Sequence, residues 1–349
     1  MKALTVLPLT AKSARIDEMA EPNVADGDVL VETIAVGICG TDLEIIAGDY
    51  GWSPPGEERL VLGHESIGRV LEAPSGGTLH AGDLVVGIVR RPDPVPCYAC
   101  AKGEWDACRN GEYTEHGIKS LHGFMRERYR AGTDALLAVD ASLSHRGVLM
   151  EPTTIVAKAW EQTLAAGHRA IWEPASVTVL GAGPIGLLAA MIGRQLGFEI
   201  TVVDRVEDGP KPGLVASLGA TYHAGSITDL ADADIVLECT GVPSLIPQAI
   251  EKTANGGVTC LAGVSPIGSN LTFDLGALAR EMVLENKAVI GSVNANRRHY
   301  EAAAAALAKA DQSWLDGLIT RSVPLEEFAT AFVHGDNDVK VVLALPATA

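Results

Sequence analysis

The stretch SVTVLGAGPIGLLAAMI, residues 176–192, decides the fold of this chain. Its first part, residues 176–180, is rich in β-branched and apolar side chains and predicts a buried strand. Gly181, Gly183 and Gly186 follow at once, and the apolar run after them is typical of a helix. In this context the glycines allow a tight turn, a close backbone approach to a pyrophosphate and close helix–sheet packing. The stretch therefore predicts a strand–turn–helix unit that binds a dinucleotide.

The pattern of the chain changes at about residue 153. After it, apolar runs such as 199–203 and 234–238 alternate with helical patterns, which predicts a parallel, doubly wound Rossmann sheet. Before it, short apolar runs such as 29–36 are separated by glycine and proline, which predicts a compact β domain. A chain of 349 residues also exceeds what one core usually serves, so we predict an α/β protein with more than one domain.

The domain boundaries are expected in short connections, because the sequence contains no long linker, repeat or low-complexity tract. We predict a catalytic β domain over residues 1–153 and a nucleotide-binding domain over residues 154–295. Residues 296–349 form a C-terminal segment, in which an alanine-rich helix over 300–310 and a closing strand over 340–345 are expected.

Composition argues against several classes of protein. With 27 basic and 44 acidic residues, the net charge of −17 repels nucleic acids and anionic membranes. No apolar run approaches the roughly 20 residues that cross a bilayer, and the N-terminus has no signal-peptide pattern. The six cysteines lie in a chain too long to need disulfides, which favours a reducing compartment. We expect a soluble, cytoplasmic protein.

Two charged residues end the strand that follows the glycine-rich turn. Asp204 lies where a carboxylate accepts from both hydroxyls of a ribose, which favours NAD. Arg205 comes next, and it is either a holder of the 2′-phosphate of NADP or a solvated surface charge. We predict that NAD is preferred and that NADP is accepted.

Four residues offer the thiolate, imidazole and carboxylate donors that Zn²⁺ accepts: Cys39, His64, Glu65 and Glu151. Taken singly, a cysteine is more often a small buried hydrophobe, and a His-Glu pair is usually an ordinary hydrogen bond. His64 and Glu65 are adjacent, so they share a metal only if the chain turns there, which the neighbouring glycines permit. Pro152 favours an extended conformation of Glu151 at the start of a helix.

These residues belong to an ordered set of motifs that covers nearly the whole chain. The set is GICGTD at 37–42, GHE at 63–65, EP at 151–152 and GAGPIG at 181–186. It resembles the zinc-dependent medium-chain dehydrogenases of the alcohol and polyol dehydrogenase type. Four further segments resemble the glucose dehydrogenase branch of archaea and some bacteria: RRP at 90–92, GEYTEHGI at 111–118, GFMRE at 123–127 and GSVN at 291–294.

The resemblance implies a chaperonin-10-like β-barrel for the first domain, with residues 296–349 returning to it. It also implies a catalytic zinc on which the carboxylates exchange during turnover, with the ligands Cys39, His64, Glu65 and Glu151. Thr41 is the implied relay for the released proton, because its hydroxyl both donates and accepts. By the same analogy the chain is expected to form homodimers or homotetramers.

The implied activity is the zinc-dependent, NAD(P)-linked oxidation of the anomeric hydroxyl of an aldose, D-glucose or D-galactose, to its lactone. Candidate sugar contacts are Glu115, His116, Glu151 and Asn294. Val89 and Ile155 replace polar residues of the branch members with the most polar pocket, which leaves fewer hydroxyl contacts. The alternatives are a polyol or secondary-alcohol dehydrogenase with the same chemistry, and a catalytically inactive NAD(P)-binding regulatory homologue.

The residues predicted to contact the dinucleotide lie at the carboxyl edge of the parallel sheet and in two later segments. They are Gly181, Gly183, Pro184, Ile185, Gly186, Asp204, Arg205, Thr240, Gly241, Val264, Val293, Asn294 and Lys340.

Three closely spaced cysteines, Cys97, Cys100 and Cys108, match three members of the family's four-cysteine zinc lobe. The first member is replaced by Pro94, which cannot ligate a metal, and structural zinc sites are normally closed by four ligands. Asp93 is the candidate for the fourth donor. The alternatives are a metal-free lobe and a redox-active Cys-x-x-Cys pair, although the proline-rich segment before Cys97 is not a thioredoxin-like helix start.

Overall fold

The computed structural model describes residues 1–266, 268, 270–335 and 337–345. The chain divides into two compact units. Unit 1 contains Met1–Glu151, Ala295–Ala308 and Ile319–Ala349, and unit 2 contains Pro152–Asn294 and Lys309–Leu318.

The strands are named here in chain order. They are β1 (Lys2–Val6), β2 (Arg15–Glu18), β3 (Val29–Gly37), β4 (Leu60–Val61), β5 (Glu65–Glu72), β6 (Leu84–Gly87), β7 (Arg90–Arg91), β8 (Thr114–His116), β9 (Ser120–Leu121), β10 (Arg128–Ala131), β11 (Leu136–Ala138), β12 (Ser176–Leu180), β13 (Glu199–Asp204), β14 (Thr221–Ala224), β15 (Ala233–Glu238), β16 (Thr253–Leu261), β17 (Ala288–Gly291), β18 (Ile319–Pro324) and β19 (Lys340–Ala344).

The helices are named in the same way, and short 3₁₀ turns lie between several of them. They are α1 (Gly40–Ala47), α2 (Met150–Gly167), α3 (Pro184–Gln195), α4 (Pro210–Ser217), α5 (Leu245–Glu251), α6 (Leu275–Leu284), α7 (Arg297–Lys309), α8 (Gln312–Leu318) and α9 (Phe328–Ala331). In the part of the chain that the structure describes, we find no helix with the length and apolar character of a membrane span.

Unit 1 is built mainly from β-sheet, as the glycine- and proline-punctuated sequence predicts. Its largest sheet has the order β11-β6-β5-β3-β19-β18, and β10 also pairs with β3. The sheet covers an apolar core that includes Val31, Leu62, Phe124, Tyr129 and Leu343, all with no exposed surface. Because β19 pairs antiparallel with β3, it lies beside the strand that leads to Cys39. This pairing positions the candidate metal site.

Unit 2 contains the predicted parallel sheet, with the order β14-β13-β12-β15-β16-β17. The chain runs from β12 outward to β14 and then returns to the other side of β12 with β15. The strand order therefore reverses between β12 and β15, and ligands of such sheets bind at the carboxyl ends beside that point. The glycine-rich turn leaves β12 at this end. The predicted α/β class, with a β domain and a Rossmann sheet, is confirmed.

Two local expectations differ from the structure. Glu151 is helical and lies in the first turn of α2, although Pro152 was expected to favour an extended conformation. Proline is tolerated there because the first amides of a helix have no intrahelical acceptor. Lys309–Leu318, within the predicted C-terminal segment, clusters with unit 2. One reason is that Trp314 of α8 is buried and its indole N–H donates to Leu214 O at 2.9 Å.

Candidate metal and cofactor sites

The predicted metal ligands Cys39, His64 and Glu65 come together in unit 1. One ligand atom of each lies within 4.8 Å of the others, and His64 and Glu65 are 4% and 1% exposed. Cys39 lies immediately before α1, and Glu65 opens β5. Gly63 has a φ of +91°, and this turn lets two adjacent side chains reach one group. The three donors are thiolate, imidazole and carboxylate, which is a set that Zn²⁺ accepts.

Asp42 orients the histidine of this group. Its Oδ2 accepts from the Cys39 backbone N–H at 2.9 Å, and its Oδ1 lies 3.6 Å from His64 Nδ1. Both atoms are buried, and neither has a hydrogen-bond partner among the described residues, so the two face each other as an unbonded pair. Burial lowers the pKa of His64, but Asp42 and Cys39 together raise it well above its usual value. A ring that turns Nδ1 to a carboxylate leaves Nε2 for a metal, so the residues fit zinc.

Lys340 holds the carboxylate of the group. Its Nζ lies 2.8 Å and 2.6 Å from the two oxygens of Glu65 and donates to Ile38 O at 3.0 Å. These acceptors match the three protons of the ammonium, and the side chain is buried. The structure shows Lys340 paired with Glu65, and the cofactor contact that the sequence predicted for it stays a prediction.

Glu151 lies near this group but is not part of the set within 4.8 Å. Burial raises the pKa of Glu151 to about 7, with His64 opposing the rise and Glu65 adding to it. His64 and Glu65 are thus electrostatic neighbours of Glu151, and its role as a metal ligand stays a prediction. Thr41 lies in the first turn of α1, two residues after Cys39.

The predicted sugar contacts Glu115 and His116 are both 5% exposed and lie on β8. Glu115 Oε1 accepts from Arg90 Nε at 3.0 Å, so the buried carboxylate is neutralised. His116 Nδ1 lies 2.7 Å from His122 O, and its ring packs on Phe124. Burial lowers the pKa of His116 to about 3, so the imidazole is neutral at physiological pH.

The glycine-rich turn of unit 2 has the geometry that the fingerprint requires. A Cβ at Gly186 would lie 1.8 Å from Gly181 O, so the first turn of α3 packs too closely for any side chain. A Cβ at Gly183 would meet nothing within 4 Å, which leaves its backbone open to a ligand. Pro184 and Ile185 form the start of α3, whose amides point toward that space. The turn can therefore bind a pyrophosphate.

Asp204 ends β13 and is tied to this turn. Its Oδ2 accepts from Ala182 N at 2.7 Å and lies 3.2 Å from Lys211 Nζ, and its Oδ1 accepts from Val206 N at 3.1 Å. Burial raises the pKa of Asp204, but the Ala182 amide and Lys211 together hold it below its usual value. Arg205 is exposed. The Asp204 carboxylate and the Lys211 ammonium therefore lie together at the end of β13, and the exposed Arg205 follows in the chain.

The predicted contacts after β15 and β16 also lie at the carboxyl edge. Glu238 is fully buried at the end of β15 and accepts from the amides of Thr240 and Gly241, at 2.7 Å and 3.1 Å. A Cβ at Gly263 would lie 2.0 Å from Gly241 N, so the two loops touch. Val264, next along the chain, is 68% exposed. The buried Glu238 carboxylate thus fixes the loops at the carboxyl edge of the sheet, where Val264 stays exposed.

The predicted carboxamide-binding segment follows β17. Val293 is 53% exposed, and Asn294 has a φ of +63°. The Val293 carbonyl accepts from Lys158 Nζ of α2 at 2.8 Å, and Lys158 is buried. This bond fixes the direction of the segment's backbone.

The sulfur atoms of Cys97, Cys100 and Cys108 lie within 4.8 Å of one another in unit 1. All three are free thiols, and Cys97 Sγ lies 3.7 Å from Cys100 Sγ, too far apart for a disulfide. The amide of Arg109 lowers the pKa of Cys97 to about 6, whereas burial raises that of Cys100 to about 11.

Asp93 is not part of the group that Cys97, Cys100 and Cys108 form. It is 5% exposed, and its backbone N–H points to the Cys100 sulfur. Its Oδ1 accepts from Val95 N at 2.7 Å. Its Oδ2 is buried and has no hydrogen-bond partner in the part of the chain that the structure describes.

Comparison with known families agrees with this geometry. Residues 25–141 match the model of the alcohol dehydrogenase GroES-like domain, and residues 144–345 match the model of the glucose dehydrogenase C-terminus. The second match alone covers more than half of the chain. This protein belongs to the glucose dehydrogenase family. It is therefore an NAD(P)-dependent zinc dehydrogenase, as the sequence predicted.

Similar proteins of this family span the whole chain. Glucose 1-dehydrogenase of Thermoproteus tenax is 42% identical, with 98% of this chain and 99% of that protein covered. Glucose 1-dehydrogenase 1 of Haloterrigena turkmenica is 39% identical, with 97% and 95% covered. A structure of Haloferax mediterranei glucose dehydrogenase in complex with NADP, zinc and gluconolactone is 34% identical, covers 100% of both chains and has a TM-score of 0.91.

Sequence reasoning missed several side chains that organise the sites of this glucose dehydrogenase family member. Asp42 was detectable, because it follows Cys39 by three residues at a helix start, which is a capping-box spacing. For Glu238, the sequence indicated only that it is the last residue of an apolar strand, and not that its carboxylate binds the following loop. Lys211 and the Lys340–Glu65 ion pair had no local signal, since Lys340 and Glu65 lie 275 residues apart.

Proposed function

We propose that this enzyme oxidises the anomeric hydroxyl of D-glucose to the lactone, with D-galactose as a second substrate. The observation that carries the proposal is the Cys39–His64–Glu65 group, with His64 and Glu65 buried, in a chain whose structural relative holds NADP, zinc and gluconolactone. In this reaction the anomeric carbon loses a hydride, its hydroxyl loses a proton, and the products are lactone, reduced nicotinamide and one proton.

The chain's own residues divide the remaining work. A bound zinc ion would supply Lewis-acid polarisation of the anomeric oxygen, and the dinucleotide would supply the hydride acceptor. Cys39, His64 and Glu65 would hold the metal, and Asp42, beside His64, would keep its ring in orientation. The Thr41 hydroxyl carries the released proton away from the sugar, since it both donates and accepts.

Glu115 and Glu151 are the proposed sugar acceptors. A buried carboxylate binds a sugar hydroxyl strongly, because a deoxy analogue would leave it with an unmet acceptor. The Arg90 guanidinium fixes the rotamer of Glu115 from behind. His116 and Asn294 are the further proposed contacts, and the neutral imidazole of His116 suits a hydroxyl better than an anion.

We further propose that NADP and NAD are both accepted and that NADP is used at least as well. The preference for NAD that Asp204 suggested has less support, because Lys211 already pairs with this carboxylate. Lys211 and the exposed Arg205 offer two cations to a 2′-phosphate. The NADP in the Haloferax complex also supports this choice.

The nucleotide proposal is tested with the double variant Arg205→Ala/Lys211→Ala. We expect kcat/KM for NADP to fall by about 10- to 100-fold, since a hydrogen bond to a charged group contributes about 1.5–3 kcal/mol. In the same variant, kcat/KM for NAD should change by less than about threefold. Equal losses with both nucleotides would contradict the assignment. Asp204→Ala should weaken NAD more than NADP.

A second zinc is proposed for Cys97, Cys100 and Cys108, with Asp93 as the fourth donor. Asp93 Oδ2 is buried and has no hydrogen-bond partner among the described residues, and this supports the proposal, because such an oxygen is costly unless a cation or donor meets it. A metal count of two zinc ions per chain is expected, and a count of one would contradict a zinc-filled lobe. The free thiols also fit the reducing cytoplasm.

We propose that the chain forms homodimers through unit 2. β17 is an edge strand of the six-stranded sheet, and apolar side chains near it are exposed. Those side chains are Leu271, Phe273, Leu275, Val283 and Leu284, with exposed fractions of 45–76%. An open edge and an apolar surface together favour pairing with a second copy. Light scattering should give a dimer or tetramer, and Val283→Glu should weaken it; a monomeric wild type would contradict the proposal.

The activity itself is tested by nicotinamide reduction against D-glucose, D-galactose, a polyol and a simple secondary alcohol. We expect the aldoses to be oxidised fastest, chelation to abolish turnover, and added zinc to restore it. Faster oxidation of the polyol or alcohol would assign the alternative dehydrogenase class. No turnover of any of these substrates would leave only the nucleotide-binding regulatory homologue.

A further inference from the structure

Two aromatic side chains, Tyr50 and Trp52, stand exposed on the loop that follows α1. Their exposed fractions are 38% and 45%, and their ring centroids are 4.9 Å apart at an interplanar angle of 75°. Gly51 between them has a φ of +103°, a value that lets the loop turn tightly and present both rings. Large aromatic rings that remain open on a folded surface often mark the place where a ligand or partner binds.

The loop is fastened to the segment that carries Glu115. The Trp52 amide donates to Ile118 O at 2.9 Å, and the Trp52 carbonyl accepts from Ser120 N at 3.0 Å. Ile118 lies in the turn between β8 and β9, and Ser120 opens β9. The Glu115 amide closes the same turn by donating to Lys119 O. Burial raises the pKa of Tyr50, and the Glu115 charge raises it further, so the phenol lies within electrostatic range of this carboxylate.

The same turn packs on the metal-binding segment. A Cβ at Gly117 would lie 2.5 Å from the backbone oxygen of Gly63, and His64 follows Gly63 directly. From the other side, α1 begins immediately after Cys39 and ends at Ala47, just before the aromatic loop. The rings, Glu115 and the metal group therefore belong to one continuous region of unit 1.

A pyranose ring has a rim of hydroxyls and two faces made largely of C–H groups. A site that binds it in water needs hydrogen-bonding groups for the rim and a flat apolar surface for a face. Glu115 supplies an acceptor for the rim, and Arg90 holds it in place at 3.0 Å. Nothing that we have assigned to the sugar so far supplies the flat apolar surface.

We propose that Tyr50 and Trp52 form an aromatic platform that binds a C–H face of the aldopyranose whose hydroxyl Glu115 accepts. This inference rests on the proposed aldose oxidation and adds to it a specificity element for ring-shaped sugars. Open-chain polyols and small alcohols have no such face, so the platform favours aldoses over them. Because the rings bind the sugar and do not touch the reacting atoms, they act on substrate affinity.

The test compares Trp52→Leu, which keeps an apolar side chain, with Trp52→Phe, which keeps a flat ring. For D-glucose we expect KM to rise by about tenfold or more in Trp52→Leu and by about threefold in Trp52→Phe, with kcat nearly unchanged. The matched control is Tyr98→Leu, because Tyr98 is another exposed aromatic residue of unit 1 but lies in the cysteine lobe. Its KM for D-glucose should stay within about twofold of the wild type.

A second readout needs no chemistry. Binding of 1,5-anhydro-D-glucitol, which keeps the pyranose ring but lacks the anomeric hydroxyl, is measured by calorimetry in wild type and variants. In each variant, we expect the affinity for this analogue to fall by the same factor by which KM for D-glucose rises. If Trp52→Leu unfolds at a clearly lower temperature than the wild type, Tyr50→Leu repeats the test on the other ring.

The outcomes separate this inference from the proposed function. If the wild type oxidises D-glucose but Trp52→Leu behaves like Tyr98→Leu, the platform is overturned and the proposed function stands. If KM for D-glucose rises equally in Trp52→Leu and Trp52→Phe, a flat ring is not required and the platform is also overturned. A wild type that oxidises no aldose overturns the proposed function and the platform with it.

Discussion

Unit 1 contains two groups of three metal-binding side chains, and they are built in opposite ways. Cys39, His64 and Glu65 come from separate segments, and only Cys39 is partly exposed. Cys97, Cys100 and Cys108 come from one short segment, and only Cys100 is buried. The first group is surrounded by buried ionic partners, whereas the second lies in a loop whose thiols reach the surface. We infer that the first is built for chemistry and the second for holding a loop.

The partners of the first group explain why it is costly to build and sensitive to change. Lys340 and Glu65 form a buried ion pair, and such a pair loses its hydration on folding. Asp42 is fully buried beside His64 and has no other cation close enough to pair with among the described residues. Removal of one charge therefore leaves the other charge buried and unpaired, and the protein then bears the full desolvation cost of that charge. In the lobe, Cys97 and Cys108 are partly exposed, so their thiols keep part of their contact with water.

The largest expected difference between the groups is in turnover. His64→Ala removes a ligand of the catalytic metal, and we expect kcat/KM for glucose to fall by at least about 10³-fold, since Lewis-acid polarisation contributes several kcal/mol. Cys108→Ser removes a thiol of the lobe and should change kcat by less than about threefold. Steady-state kinetics of both variants measure this, and similar losses in the two would remove the distinction.

The next effect is on stability. Lys340→Met leaves Glu65 buried without its cation, and we expect the free energy of unfolding to fall by about 3–5 kcal/mol. The matched control is Lys2→Met, because Lys2 pairs with Glu326 at 2.7 Å on the surface. That loss should be much smaller than the loss in Lys340→Met, because solvent screens an exposed pair. Urea unfolding of both variants measures the difference, and an equal loss would show that burial of the pair is not decisive.

A smaller effect is expected on metal affinity. Asp42→Asn keeps the size of the side chain but removes the charge beside His64, so zinc should bind about 10- to 100-fold more weakly. Competition with a chelator measures the affinity of the catalytic site. The exposed Asp208→Asn serves as control and should leave the affinity unchanged. An unchanged affinity in Asp42→Asn would mean that Asp42 acts only through the Cys39 amide.

The smallest effect on activity concerns the fourth ligand of the lobe. Asp93→Asn weakens the proposed structural zinc, and we expect a metal count nearer to one per chain and a melting temperature lower by about 2–6 °C. Turnover should stay within about twofold of the wild type at 25 °C. Elemental analysis and calorimetry test this, and an undiminished count of two would assign the fourth ligand to another donor.

Much of the fold was predictable because its signals are local. The GAGPIG turn, the strand before it and the helix after it are read from adjacent residues, and β12 and α3 begin and end close to the predicted positions. The same holds for the closing strand β19 and for the three cysteines of the lobe. The helical state of Glu151 was missed, because the bias that Pro152 imposes is weaker than the favourable start of α2.

The sequence by itself determined the strands, the glycine turn and the thiol lobe, and it supplied the candidate metal donors, since these depend on residue type and short-range spacing. Only the tertiary structure decided how the donors are used. It brought Lys340 to Glu65 through the pairing of β19 with β3, and it bound the Trp52 loop to the turn after Glu115. Ion pairs and backbone bonds between distant segments form only when strands have paired, so no local pattern records them.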